Sequence, residues 1–142
     1  MMMLTKDSSM MRESGTTILA SDEVLELVPI KAGIDVDYYL QVHKENDVLG
    51  NIWDEHYENH LRKEISTGKA FYCSIYLVDT DEYIGYCGIN NIDEEERDLA
   101  IELLKRHQQK GYGFRAMKCL MACRHVSVYT RIFVEMFPHT GR

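Results

Sequence analysis

Apolar and polar residues alternate through Glu23-Val-Leu-Glu-Leu-Val-Pro-Ile30, which predicts a strand stopping near Pro29. Lys31 to Gly33 is a connector. From Asp35 to about Glu45 the period changes. Val36, Tyr39, Leu40 and His43 share one helical face there, with Asp35 as N-cap. A second helix is expected from near Asn51 to Ser66, on the stripe Ile52, Trp53, Tyr57, His60 or Leu61, and Ile65, with Gly68 as its stop. Three strands follow: Ala70–Val78, Tyr83–Ile89 and Asp98–Leu104. Asp79–Glu82 turns the first into the second, and Gly85 and Gly88 mark a bulge or a close backbone approach. Asn90–Arg97 is an acidic loop before the third. A polar bridge, Lys105–Lys110, leads into a helix from Gly111 to near Arg124, and Tyr129–Met136 reads as a last strand ended by Pro138. This order predicts an α/β (α+β) fold: a mixed, mostly antiparallel sheet with one parallel pair and flanking helices.

The length of 142 residues suits one domain, with residues 1–22 as a flexible leader and 23–142 as the folded unit. Sixteen basic against twenty-three acidic residues give a net charge of −7, which argues against a general nucleic-acid binder. No apolar run has the length of a membrane span, and the first 22 residues lack the apolar core of a secretory signal. Cys73, Cys87, Cys119 and Cys123 form neither a C-x-x-C pair nor a zinc-like spacing. They read as reduced, mostly buried thiols of a cytoplasmic protein.

The candidate chemistry lies where the strand ending at Leu104 passes through Gln108-Gln-Lys-Gly-Tyr-Gly-Phe114 into a helix. Unpaired N–H groups at a helix start, together with the positive end of its dipole, make a phosphate site. Gly111 and Gly113 leave the backbone open to close approach, and Lys110 adds a charge at the rim. Two phosphate-bearing ligands fit this pattern. Gly111-Tyr-Gly-Phe-Arg-Ala116 satisfies the dinucleotide form G-x-G-x-x-G/A, with Glu135 at about the twenty-residue offset of a ribose-binding acid. Against it, six mostly polar residues stand between Leu104 and Gly111, and the upstream elements do not make a βαβ start.

The other form is Gln108-Gln-Lys-Gly-Tyr-Gly113, that is Q/R-x-x-G-x-G/A. With Leu25-Glu-Leu-Val-Pro-Ile30, Tyr83-Ile-Gly-Tyr-Cys-Gly-Ile89, Asp98-Leu-Ala-Ile-Glu-Leu-Leu104 and the order of elements, it resembles the GNAT superfamily of acyl-CoA N-acyltransferases over roughly Glu23–Phe137, and within it the ribosomal-protein N-acetyltransferase-like branch. The resemblance implies acetyl-CoA as co-substrate, with an amine as acceptor, either a small molecule or a protein N-terminus. It implies that the backbone amides of Gln109, Lys110, Gly111, Tyr112, Gly113 and Phe114 hold the pyrophosphate, with Gln108 at the first motif position of this cofactor-binding loop. It also implies that pantetheine runs along the strand to Leu103 and Leu104, where a backbone N–H polarises the acetyl carbonyl. A carboxylate removes the amine proton in such enzymes. Strand parity sets Asp98, Ala100, Glu102 and Leu104 opposite Leu99, Ile101 and Leu103. The aliphatic set is expected to face the core, leaving Glu102, and after it Asp98, as the base.

Relative to the resembled fold, the chain stops after its last strand, without the usual C-terminal helix and final strands. No general acid carries over. The uncovered strand Tyr129–Met136 suggests a homodimer or other self-association, and a non-catalytic acyl-CoA-binding remnant stands as the alternative to an enzyme. His56 and His60 have an i, i+4 spacing without a third ligand, so they read as a polar helix face, with no metal expected. Tyr38, Tyr39, Trp53 and Tyr57 either pack the early helices or line the acceptor site. The run Asp93-Glu-Glu-Glu96 reads as a solvated loop that could also attract a cationic amine.

Overall fold

The computed structural model describes residues 17–30, 34–91 and 98–123. Five strands, β1 (Ala20–Ser21), β2 (Leu25–Pro29), β3 (Phe71–Leu77), β4 (Tyr83–Asn90) and β5 (Asp98–Leu103), form one antiparallel sheet in sequence order. Helices α1 (Ile34–Asn46) and α2 (Glu55–Thr67) are inserted between β2 and β3, and α3 (Tyr112–Ala122) follows β5 after a 3-10 turn at Lys105–His107. The expected α+β fold, an antiparallel sheet with flanking helices, is therefore present. The strand at 129–136, its parallel pairing and the dimer contact expected across it lie outside the described residues.

Residues 17–22, expected to belong to a flexible leader, are part of the described fold. Ile18 is buried, Leu19 donates its N–H to the Leu27 carbonyl at 2.8 Å, and β1 pairs with β2. The Asp22 carboxylate closes this turn by accepting from the N–H groups of Val24 and Leu25. Arg115 on α3 anchors it from across the sheet at 2.9 Å. A polar-looking stretch is ordered here by two apolar residues, Ile18 and Leu19, and one capping carboxylate.

Helix α1 carries Asp35 and Asp37 in its first turn and His43 and Lys44 in its last, in the sense the helix dipole favours. Helix α2 starts later than the expected Asn51. Asp47 accepts from the N–H groups of Ile52 and Trp53, which holds that stretch in a loop, and Asp54 then caps the helix through the Tyr57 N–H at 2.7 Å. Gly68 ends it at φ 76°.

Both faces of the sheet are covered. On one side Leu25, Leu27, Cys73, Ile75, Ile84, Cys87, Ile89 and Leu103 pack against Ala116, Met117, Leu120 and Met121 of α3. On the other, Val28, Tyr72, Tyr76, Tyr83 and Tyr86 pack against Val36, Tyr39, Leu40 and Val42 of α1 and Leu61 of α2. A register shift at Ile75/Tyr76, opposite Gly85, puts Tyr83 and Tyr86 on the same face although they are three residues apart. Gly85 and Gly88 are required by close approach. A Cβ at Gly85 would run into the Glu102 carbonyl, and one at Gly88 into the Phe71 carbonyl.

Candidate active site

Strand β5 enters the site with Asn90, Gly88, Tyr86 and Gly85 of β4 opposite Asp98, Ala100, Glu102 and Leu103. The expected parity is obeyed with one departure. Leu99 and Leu103 join the α3-side core, but Ile101 stays 37% exposed. β5 is the last strand of the described sheet, and the neighbour over Ile101 is Gly113, which has no side chain to cover it. The ladder also sorts the backbone groups of β5. Leu104 N–H binds the Ile84 carbonyl, so the alternate residues Leu99, Ile101 and Leu103 direct theirs to the outer edge. The Leu103 carbonyl there accepts from the Asn46 side chain at 3.1 Å and from Gln108 Nε2 at 2.9 Å.

Gln108 thus ties the loop to the end of β5 and to α1, with its side-chain amide also 3.3 Å from Asn46 Oδ1. The turn before it is fixed by Glu82, which accepts from Arg106 at 2.7 Å and lies 3.0 Å from His107 Nε2. These contacts, the His107 hydrogen bond first, hold the Glu82 carboxyl below its usual range. Beyond Gln108 the chain takes two left-handed residues, Gln109 at φ 63° and Gly111 at φ 85°. Gln109 adopts a conformation that costs a non-glycine residue on the order of 1 kcal/mol, as is common where a loop is shaped for a ligand. Gly111 is the N-cap of α3 and makes no side-chain cap, and a Cβ there would meet nothing within 4 Å. The first α3 amide bonded back to the cap is that of Arg115, at 3.2 Å to the Gly111 carbonyl. By helix geometry the N–H groups of Tyr112 and Gly113 have no acceptor within α3. Lys110 is exposed, and a groove of about 910 Å³ beside the loop is lined by Lys110, Gly111, Phe114, Arg115 and Lys118. Asp22 also lines this groove and holds Arg115, so its positive charge comes from Lys110 and Lys118; with amides at a helix start and a side-chain-free cap, this suits a phosphate-bearing ligand.

The second part of the site lies on the opposite face of β5. Glu102 stands across from Tyr86 in the ladder, and α1 lays His43 over both. His43 Nδ1 is 3.4 Å from Glu102 Oε1, and His43 Nε2 is 3.1 Å from the Tyr86 hydroxyl. The side chains of His43 and Glu102 are 13% and 29% exposed, and Glu102 Oε1 is itself buried with no hydrogen-bonded partner. Burial raises the Glu102 carboxyl above its ordinary value and lowers His43 to about 4. Tyr39 packs edge-on to both His43 and Tyr86, at 4.8 Å in each case. Tyr57 of α2 lies 6.3 Å from His43 with its own hydroxyl pushed up by burial, and Trp53 stands 6.0 Å beyond it. A half-buried carboxylate with a raised value, beside a neutral imidazole and aromatic walls, is equipped to accept a proton.

The structure therefore brings Gln108 to Phe114 together at the outer end of β5 and sets Glu102 beneath α1. It does not bring Asp98 to Glu102. Asp98 is exposed at the other end of β5, paired with Asn90, about 13 Å away along the strand. Sequence reasoning did not single out His43 or Tyr86 for the site. The signal present was a histidine on the buried face of a helix, which alone reads as packing. Elsewhere, Glu58 is engaged by Arg62 at 2.9 Å and His60 faces Glu64 at 3.9 Å. Among the described residues no group of three or more His, Cys, Asp or Glu is placed to hold a metal, and no helix is long and apolar enough to cross a membrane.

A sequence-family model described as an acetyltransferase (GNAT) domain matches residues 25–139. The chain belongs to the GNAT acetyltransferase family. That match spans both halves of the site just described, the loop of Gln108–Phe114 and the Glu102 face. No curated protein matches this domain. Among solved structures it is similar to the acetyltransferase from Agrobacterium tumefaciens str. C58, with 22% identity and a TM-score of 0.55 over 80% of this chain and 69% of that one. That likeness speaks for the acetyltransferase fold. The 3-10 turn between β5 and Gly111, after an antiparallel strand, is also unlike the direct strand-to-loop passage of a dinucleotide fingerprint.

Proposed function

We propose that this domain transfers an acetyl group from acetyl-CoA to a primary amine, with Glu102 as the general base. The observation that carries the reading is Glu102 itself, a carboxylate with one buried, unpartnered oxygen on β5, the strand whose end leads through the Gln108 loop to the helix start of α3. Acetyl-CoA supplies an acetyl group activated as a thioester. Amides of the segment Gln109–Phe114 are the proposed pyrophosphate donors, with Lys110 adding charge, while Gln108 holds the loop to β5. The pantetheine reading runs along β5 to Leu103 and Leu104, and an outward N–H of Leu99, Ile101 or Leu103 is the proposed donor to the acetyl oxygen. The amine nitrogen bonds to the carbonyl carbon, the carbon–sulfur bond breaks with its electron pair leaving on sulfur as the CoA thiolate, which takes a proton from solvent, and the amine proton passes to Glu102.

The acceptor is proposed to approach past Tyr57 and Trp53. Protein N-terminal amines are its first candidates, in keeping with the ribosomal-protein-like branch that the sequence resembles. Following thiol release from acetyl-CoA against free-N-terminus peptides, polyamines and other small amines tests this. Turnover with at least one class is expected, falling about 10²–10⁴-fold in Glu102→Gln with acetyl-CoA binding kept. Thiol release no faster than hydrolysis for every amine would refute it. An undiminished Glu102→Gln would remove Glu102 as the base.

A further inference from the structure

We infer that His43 is the positioning residue of Glu102: its Nδ1–H steadies the carboxylate, and the Tyr86 hydroxyl, donating to Nε2, fixes the imidazole in that tautomer. The inference rests on reading Glu102 as the base and names what prepares it.

The three side chains come from three elements, and His43 stands between the other two. Tyr86 and Glu102 oppose each other across β4 and β5, and His43 descends from α1 with Nε2 at 3.1 Å from one and Nδ1 at 3.4 Å from the other. Glu102 Oε1 is buried and lacks a hydrogen-bonded partner, so an ionised Glu102 needs a donor, and Nδ1 is the ring atom facing it. A neutral imidazole carries one proton. With the Tyr86 hydroxyl donating to Nε2 that proton sits on Nδ1, aimed at Glu102, and a shift of a few tenths of an ångström closes the bond. The other tautomer would set a nitrogen lone pair against the carboxylate.

Burial, against the nearby carboxylate, favours the neutral ring. Tyr39 faces it from α1, Tyr57 from α2, Tyr86 from β4 and Glu102 from β5, while Tyr72 of β3 packs on Tyr39 and Tyr86. The charges of Glu64 on α2 and Asp47 in the α1–α2 loop reach the same tyrosines. Burial of His43 dominates over all of these. The ring therefore acts as a fixed donor, and Glu102 is the group left to take the substrate proton.

The test follows the imidazole nitrogen shifts of His43 and the side-chain carboxyl carbon of Glu102 by NMR against pH. It uses the full chain without substrate, in wild type, His43→Leu, His43→Asn and Tyr86→Phe. Wild type is expected to show Nδ1 protonated and Nε2 bare. His43→Leu should raise the Glu102 midpoint by about one pH unit, a tenfold weaker acid, because the donor favouring the charged form is lost. His43→Asn places an amide N–H near the Nδ1 position and should restore most of the shift. Tyr86→Phe should move proton density toward Nε2. A wild-type ring protonated on Nε2, or one Glu102 midpoint shared by wild type, His43→Leu and His43→Asn, would overturn the inference and leave His43 as packing. Should His43→Leu fail to fold, Tyr86→Phe, which keeps the ring, decides through the nitrogen shifts. None of these readouts needs turnover. A chain inert toward acetyl-CoA and amines would refute Glu102 as base, while the Tyr86–His43–Glu102 arrangement would still be judged on the titration.

Discussion

Glu102 and His43 take their properties from the same burial, with opposite signs. Removing water penalises the charged form of each, so the carboxyl titrates higher and the imidazole lower, to about 4. For stability, the two work against each other. An unfolded histidine titrates near 6.5, so between about pH 6.5 and pH 4 the unfolded chain binds a proton that buried His43 refuses. Stability therefore falls as pH drops through that window, by about 3 kcal/mol at most from this residue. Glu102, raised above its unfolded value, gains its proton first in the fold, and its contribution is fullest at low pH and lost as pH rises. Because His43 carries the larger displacement, urea midpoints of wild type should fall more between about pH 7 and about pH 4.5 than those of His43→Asn. Equal pH slopes would show that His43 titrates freely.

Strand β4 shows at the scale of the element how the site is aimed. Glycines at 85 and 88 let β5 and β3 approach within distances no Cβ tolerates, and the adjoining register shift turns Tyr86 to the α1 side. Gly85→Ala should cost 2 kcal/mol or more and disturb the Glu102 backbone that it would strike, read as a lower urea midpoint and altered β5 amide shifts. Wild-type stability in that variant would mean the bulge is not needed. At α2 the Asp54 cap sets the helix start, so Asp54→Ala should cost about 1 kcal/mol in the same assay while leaving acetyl-CoA binding unchanged. The sequence made most of these elements readable, because Leu25 to Val28, Phe71 to Leu77 and Tyr83 to Asn90 carry β-rich composition bounded by turn residues. Two boundaries were not readable. Ala20–Ser21 pairs only because Ile18 and Leu19 find the core, and Asn51–Trp53 stays out of α2 only because Asp47 holds its N–H groups. Both depend on contacts that a local pattern does not contain.

For the molecule as a whole, two layers serve two tasks. The α3 side presents the open helix start and a cationic groove, and the α1–α2 side walls Glu102 with aromatic rings. β5 is the strand common to both, and its outer edge joins them. The local geometry of Gln108–Phe114 was legible in sequence because it is a strand, a glycine-bearing turn and a helix in succession. The Glu102 face was legible by half. Parity named Glu102, but the partners that set its chemistry arrive from residues 43 and 86, through a helix crossing and a bulged register that no local spacing records. Asp98 illustrates the same limit, since parity groups it with Glu102 while the strand's length keeps the two apart.

The proposal that this GNAT domain acts on acetyl-CoA is tested most directly by calorimetric titration of the chain with acetyl-CoA, with NAD as control and Gly111→Val alongside. We expect binding at about 10 μM or tighter, roughly −7 kcal/mol, no heat with NAD, and loss of binding in Gly111→Val, where a β-branched residue meets φ 85° at the helix start. Heat with NAD and none with acetyl-CoA would contradict the account, as would acetyl-CoA binding that Gly111→Val leaves untouched.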